Sequence, residues 1–452
     1  MALAVVLFAA VAFAHPVFAA AIEVISPKGL KVWLIEDHSS PLLTLGFRFA
    51  GGAAQDLPGK EGTAHLAAEL FFQGAGNLPA DAYLQAWSEL GAEVTIDARV
   101  ESLRGTLKVL TQDHDKAARL LAMAIASPRS DPDPFEQIRD QVLAEVDRDA
   151  ADPESIAFDA YNHLAYGPHA LARPINGTRA SIIALKLADT LNYRAHVLVR
   201  DGLSLSAVGD ISAAELGPLV DRVFAGLPAH GHIKPVPAPE PAPAGRSDIP
   251  MLAAQAQVAF GVSLPRLDDH DQLAAELFNY TLGGSAFTSR LYREVRDSRG
   301  LAYAIGTALD SYSFSSEITG SFGSQPGTVE DAIGLVRREL ARLAADGPAA
   351  AEVEEAKAAL AGQYLRSLIK QVDLANELTL RLSQGRGPDF IDAYALRRAA
   401  ITPAEVRAFA RSIPWLQRLV VATVGVRDAP RDAPANQHGE PSRLHTPQAQ
   451  EP

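Results

Sequence analysis

The sequence predicts an α+β protein of two homologous lobes, each a mostly antiparallel sheet packed with helices. Three observations carry this expectation. First, residues 228–250 contain Pro228, Pro235, Pro237, Pro239, Pro241, Pro243 and Pro250, and the stretch divides the chain into parts of similar length. Proline lacks the N–H that a helix or a sheet ladder uses, so the stretch reads as an extended linker. Second, Leu66-Ala67-Ala68-Glu69-Leu70-Phe71 recurs letter for letter as Leu273-Ala274-Ala275-Glu276-Leu277-Phe278. Each copy follows a strand-like run, which points to an internal duplication. Third, strand-like and helix-like segments do not strictly alternate, which favours antiparallel sheets over a doubly wound parallel one.

The elements follow in chain order. Gly29 to Ile35 and Leu42 to Phe49 read as a hairpin turning at Asp37-His38-Ser39-Ser40. Residues 61–73 and 80–91 read as helices, the second opening after Pro79. Val94 to Val100 and Ser102 to Val109 alternate as paired strands, and residues 113–126, 133–150, 153–165 and 178–196 carry a helical period. Leu203 to Gly209 is an apolar strand ending in Val-Gly, and Leu419 to Gly425 repeats it near the other end. Gln257 to Val262 is the strand ahead of the second hexapeptide. The resulting plan is a signal peptide (1–20), a first lobe (21–227), the linker (228–250), a second lobe (251–426) and a disordered tail (427–452).

Composition narrows the function. A chain of 452 residues exceeds what one core supports. The net charge is −13 with no basic block, which argues against nucleic acid and against an anionic membrane surface as partners. There are no cysteines, so disulfides, cysteine nucleophiles and thiolate metal sites are excluded. Ala2 to Ala14 is uncharged and apolar, and His15-Pro16 and Val17-Phe18-Ala19 follow. That pattern reads as a secretory signal cleaved near Ala19 or Ala20, although no Lys or Arg precedes it. The expectation is an exported, periplasmic protein with no membrane attachment once the signal is removed.

One segment carries chemistry in its residue pattern: Gly62-Thr63-Ala64-His65-Leu66-Ala67-Ala68-Glu69-Leu70-Phe71-Phe72-Gln73-Gly74. It resembles the zinc helix of the pitrilysin/insulinase type of metallopeptidase, whose pattern is Gly-x-Ala-His-x-x-Glu-His followed by an apolar pair and a Gly. In that family two His one turn apart bind zinc from one helix face. The Glu between them activates the attacking water, and a downstream Glu completes the site. The resemblance keeps the first His as His65 and matches the downstream Glu to Glu145. It puts Ala68 where the general base belongs and Glu69 where the second His belongs. This chain is therefore expected to bind no metal of its own, with His65 and Glu69 hydrogen-bonded as a relic of the site. A His65/Glu69/Glu145 metal centre is the alternative.

A second stretch is closer to intact. Leu282-Gly283-Gly284 leads through Ser289-Arg290-Leu291 to Arg296-Asp297-Ser298-Arg299-Gly300-Leu301-Ala302-Tyr303. It is similar to the family's second-lobe signature, in which an Arg and a Tyr seven residues apart bind the substrate backbone and the developing oxyanion. Arg296 and Tyr303 match those positions. The resemblance spans about residues 22–426 and implies two lobes forming a clam-shell chamber of peptide size. It implies the non-zinc subunit of a heterodimeric peptidase, with zinc on a homologous partner and peptides as substrates. The alternatives are an inert binding or assembly subunit and an autonomous peptidase using His65, Glu69 and Glu145.

Overall fold

The computed structural model describes residues 20–129 and 131–425, with the side chain of Asp392 left aside. The expected signal peptide, apart from Ala20, and the tail at 427–452 lie outside the described residues. No helix among the described residues is long and apolar enough to cross a membrane.

The first lobe contains β1 (Ile22–Ile25), β2 (Lys31–Glu36), β3 (Leu42–Ala50), α1 (Thr63–Glu69), β4 (Gly74–Ala75), β5 (Leu78–Pro79), α2 (Ala80–Glu89), β6 (Glu93–Ala98) and β7 (Ser102–Leu110). It continues through α3 (His114–Ala126), α4 (Pro132–Asp149), α5 (Pro153–Tyr166), α6 (Arg179–Ala184), α7 (Leu187–Val197), β8 (Leu203–Gly209) and α8 (Ala213–Phe224). The second lobe contains β9 (Gly245–Ile249), β10 (Ala256–Pro265), α9 (Asp269–Asn279), β11 (Ile305–Ser311), β12 (Ser315–Ser324), α10 (Val329–Asp346) and α11 (Ala350–Ser367). After these come α12 (Gln371–Ser383), α13 (Phe390–Ala400), α14 (Pro403–Ser412), α15 (Trp415–Arg418) and β13 (Val420–Val424).

The two main sheets repeat one topology. The first runs β1-β2-β8-β3-β7-β6 and the second β9-β13-β10-β12-β11. In each, the last strand of the lobe inserts centrally. β8 lies parallel to β2 and antiparallel to β3, as β13 lies parallel to β9 and antiparallel to β10. This is the duplication that the hexapeptide announces.

Three local expectations are corrected. β2 and β3 do not form a hairpin, because β8 sits between them. Every residue of β8 after Leu203 is buried, so it needs a neighbour on both sides, and the turn at 37–40 reaches over it. The linker ends sooner than position 250: residues 245–249 form edge strand β9, the second lobe's counterpart of β2. The segment 178–196 is two helices. Leu185 turns extended, and Asp189 accepts the Lys186 N–H at 2.8 Å to start α7.

The lobes exchange helices. First-lobe α5 lies on the second sheet, where Ala157, Tyr161 and Ala165 pack with Ala259, Val420, Ala422 and Val424. Second-lobe α12 lies on the first sheet, where Leu374, Ala375 and Leu378 pack with Trp33, Ile35 and Val208. A glycine lets each approach happen. At Gly46 in β3, an added Cβ would stand 2.7 Å from Ser206 Oγ and 3.1 Å from the Ala375 carbonyl oxygen. At Gly261 in β10 it would stand 2.6 Å from the Ile318 carbonyl oxygen and 2.7 Å from Tyr161 Oη. Polar bonds reinforce the seam. The Ser206 hydroxyl donates to the Ala375 carbonyl at 2.8 Å, and the Tyr166 hydroxyl donates to the buried carboxyl of Glu317. A cleft of about 700 Å³ is lined by Phe158 and Arg173 of the first lobe and by Tyr312 and Glu317 of the second.

The linker is strapped to the first lobe. The Gln55 side-chain amide pairs with both backbone groups of Lys234, at 2.9 and 2.8 Å, and His169 Nε2 donates to the Pro237 carbonyl at 2.9 Å. Gly46→Ala and Gly261→Ala are each expected to lower stability by about 1–3 kcal/mol, the usual cost of overpacking. Urea unfolding checks this: unchanged midpoints in both variants would contradict the tight exchange.

Candidate functional site

The site helix α1 is held by its N-terminus and gripped on most of its surface. Gly62 takes a left-handed φ of 90°, and the Gly62 and Ala64 N–H groups donate to the two oxygens of Asp56 at 2.9 and 3.0 Å. Burial pushes the Asp56 carboxyl up to about 7, against the pull of those hydrogen bonds and of Arg173. Ala64, Ala67 and Ala68 enter the first-lobe core, while Leu66 packs with Phe135, Ile138 and Val142 of α4. Only His65 and Glu69 on this helix stay partly exposed, one turn apart.

His65 meets Glu145 rather than Glu69. Its Nε2 lies 3.4 Å from Glu145 Oε2, and among the described residues no hydrogen bond joins His65 to Glu69. The cause is the packing of α4 on Leu66 and Leu70, which presents Glu145 to the imidazole. The second copy of the hexapeptide behaves differently. There Gln272 donates to Glu276 one turn on at 3.3 Å, and Glu276 also accepts from Tyr394 and lies 3.6 Å from Arg398.

Zinc does not fit this set. Among the described residues no three His, Asp or Glu side chains are gathered closely enough to hold a metal ion. Ala68, at the general-base position, is fully buried in the first-lobe core. A carboxylate there would displace packed atoms and lose its hydration.

Arg296 and Tyr303 present accessible donors on the second lobe. Residues 292–297 form a wide π-type turn, a geometry that recurs at functional sites. The Arg296 guanidinium lies 4.7 Å from the Tyr292 ring centre and donates to the Tyr292 hydroxyl. Tyr303 is 59% exposed and is placed by its backbone N–H, which donates to the Gly323 carbonyl at 3.3 Å. Neither side chain hydrogen-bonds to His65, Glu69 or Glu145 among the described residues. Arg290 is structural: it grips Glu352 with two bonds at 2.9 and 2.7 Å, and Arg293 adds a third at 3.1 Å.

Sequence reasoning missed Asp56, which positions α1. A signal was available, since an acid lies six residues ahead of Gly62 in a turn-forming stretch, Asp56-Leu57-Pro58-Gly59.

A fold of duplicated lobes with exchanged helices and a site helix carrying His65 defines the class, and comparison with known proteins agrees. Residues 31–179 match the family described as Insulinase (Peptidase family M16), and residues 184–360 match Peptidase M16 inactive domain. The chain belongs to this insulinase-type (M16) peptidase family, as a member without the zinc-hydrolysis motif. It is 27% identical over 418 residues to a protein of Mycobacterium tuberculosis named an uncharacterized zinc protease, covering 90% of this chain and 94% of that one. It is 24% identical over 262 residues to cytochrome b-c1 complex subunit 1 of Bos taurus, covering 56% and 54%. The crystal structure of a peptidase M16 inactive domain from Pseudomonas fluorescens shares the fold, with a TM-score of 0.85 at 23% identity, over 90% of this chain and 98% of that one.

The raised Asp56 carboxyl sets a pH dependence. The folded chain holds this proton up to about pH 7, and the unfolded chain releases it near pH 4. Stability from this group is therefore greatest below about pH 4 and declines as pH rises toward 7. The stability difference between wild type and Asp56→Asn, measured by urea unfolding across that window, is expected to shift against wild type as pH rises. A flat difference would show that Asp56 ionises freely.

Proposed function

We propose that this protein is the non-zinc subunit of a two-chain, peptide-degrading metallopeptidase of the exported, periplasmic compartment. A homologous partner with an intact His-x-x-Glu-His would carry zinc, water and base. This chain would contribute Arg296, Tyr303 and part of the wall around the peptide. The observation that carries the reading is the contrast between its two signatures. The general-base position is a buried alanine, Ala68, whereas Arg296 and Tyr303 keep both their spacing and their access to solvent.

The physical chemistry suits the roles. Arg296 is permanently charged and offers forked donors, and Tyr303 offers one directed O–H. Donors aimed at a developing oxyanion contribute about 2.7–4 kcal/mol each in acyl-transfer enzymes. His65, Glu69 and Glu145 are not assigned a working metal centre, because they are not gathered as one and Ala68 supplies no base.

A second reading has its own support. The inactive-domain match and the likeness to a subunit of a respiratory complex favour a catalytically inert subunit that binds or assembles. One experiment separates the two. The chain is purified with the product of a neighbouring gene that encodes the intact zinc motif, and peptide hydrolysis is measured. Arg296→Ala and Tyr303→Phe in this chain are expected to lower kcat about 10²–10³-fold while the complex stays assembled. Unchanged kcat in both variants would leave the inert-subunit reading.

A further inference from the structure

The face of the first sheet opposite its core carries a guanidinium with no partner. Along β3, Leu43, Leu45, Phe47 and Phe49 enter the core, so Thr44, Gly46 and Arg48 point to the other face. Helix α12 covers that face over β8 and β3, and its contacts thin out at β7. Arg48 is half-buried on that face. In register across the face it stands between Ser204 and Arg104, and Arg104 stands beside Asp97.

Directly opposed residues bring their Cβ atoms to about 4.5–5.5 Å, so Arg48 facing Arg104 is an unfavourable pairing of like charges. The nearby carboxylates Glu101 and Asp97 offset it only in part, because each is bonded elsewhere. Asp97 accepts from Arg104 at 3.3 and 3.2 Å and also pairs with Arg99. Glu101 accepts the Ser313 N–H at 2.9 Å and the Ser313 hydroxyl, across the seam between the lobes. Arg48 itself makes no hydrogen bond or ion pair among the described residues, yet its nitrogens are not sealed from solvent. Burial, and then Arg104, lower its pKa from the usual arginine value, and it remains charged. Asp97 is thus shared by Arg99 and Arg104 and Glu101 is held by Ser313, so Arg48 has no carboxylate partner of its own among the described residues.

We propose that Arg48, backed by Arg104, is a binding site for a carboxylate carried by a peptide, at the seam where Glu101 of the first lobe meets Ser313 of the second. The free fork of Arg48 matches the two oxygens of a carboxylate. One unpaired guanidinium suits a monoanion, and the neighbouring Asp97 and Glu101 disfavour the higher negative charge that a phosphate brings. The identity of the occupant rests on the reading of this chain as a peptide-handling subunit; the anion site itself does not. The carboxylate can belong to an acidic side chain or to the C-terminus of the peptide.

The test is calorimetric titration of the full mature chain with three alanine-rich heptapeptides. One has a single Glu and both ends blocked, one has Gln and a free C-terminal carboxylate, and one has Gln and both ends blocked. At low salt at least one acidic peptide is expected to bind about tenfold or more tightly than the neutral one, and the tighter arm identifies the source. Arg48→Gln is expected to abolish the preference, and Arg48→Lys to keep part of it as a point charge. Equal binding of all three peptides, no binding of any, or a preference that survives Arg48→Gln would overturn the site. Urea unfolding guards against a trivial loss. Arg48→Gln is expected to hold or raise the midpoint, since it removes the opposition with Arg104, and a lowered midpoint would mark Arg48 as structural and count against the proposal. The titration uses the isolated chain, so its failure is distinct from failure of the partner-dependent hydrolysis.

Discussion

The exchange of α5 and α12 between the lobes is the contact on which the rest of the architecture depends. Each sheet would otherwise show a bare apolar face: Trp33, Ile35 and Val208 on the first, Ala259, Val420 and Ala422 on the second. Burying such faces is the main favourable term in folding, and here each lobe supplies the cover for the other. Helix α12 is also fixed from behind. Arg381 bonds to Glu377 at 2.7 Å and lies 4.7 Å from the Phe390 ring, tying α12 to α13 within its own lobe. The seam therefore carries apolar packing from both exchanged helices, and the cleft beside it is lined by residues of both lobes.

The first-lobe site and its second-lobe counterpart diverged in opposite ways. In the second lobe, Glu276 is absorbed into a network with Gln272, Tyr394 and Arg398, which makes it a structural group. In the first, Glu69 has no such network among the described residues, and His65 makes a long bond to Glu145. Ala68 offers no base and is packed into the first-lobe core. What persists is a helix still positioned by Asp56 and still presenting one imidazole toward a carboxylate.

The fold was largely legible in the sequence, because duplication and period are local signals. The hexapeptide at 66–71 and 273–278 marked the repeat, and the β6–β7 pair and helices α2 to α5 follow the hydrophobic period within a residue or two. What was not legible depended on partners distant in sequence. The turn at 37–40 looks like a hairpin because nothing near it says that β8, more than 160 residues on, will wedge between β2 and β3. β9 was hidden inside a proline-rich stretch, since edge strands tolerate such neighbours. The site residues were read from motif, and their partners were not. Spacing alone put His65 with Glu69, whereas the packing of α4 gave it Glu145.

The exchanged helices also set the order in which the chain can mature. The first-lobe sheet is complete once Gly209 has emerged, yet its cover, residues 371–383, is made last but for the closing helices and β13. Until then Trp33 and its neighbours face water, and the growing chain carries an adhesive surface for most of its synthesis. Neither half is a self-sufficient folding unit, so splitting the gene at the linker would give two fragments that need each other rather than two domains. A fold whose contacts span so much of the chain forms slowly, because loop closure over long separations precedes the burial that rewards it.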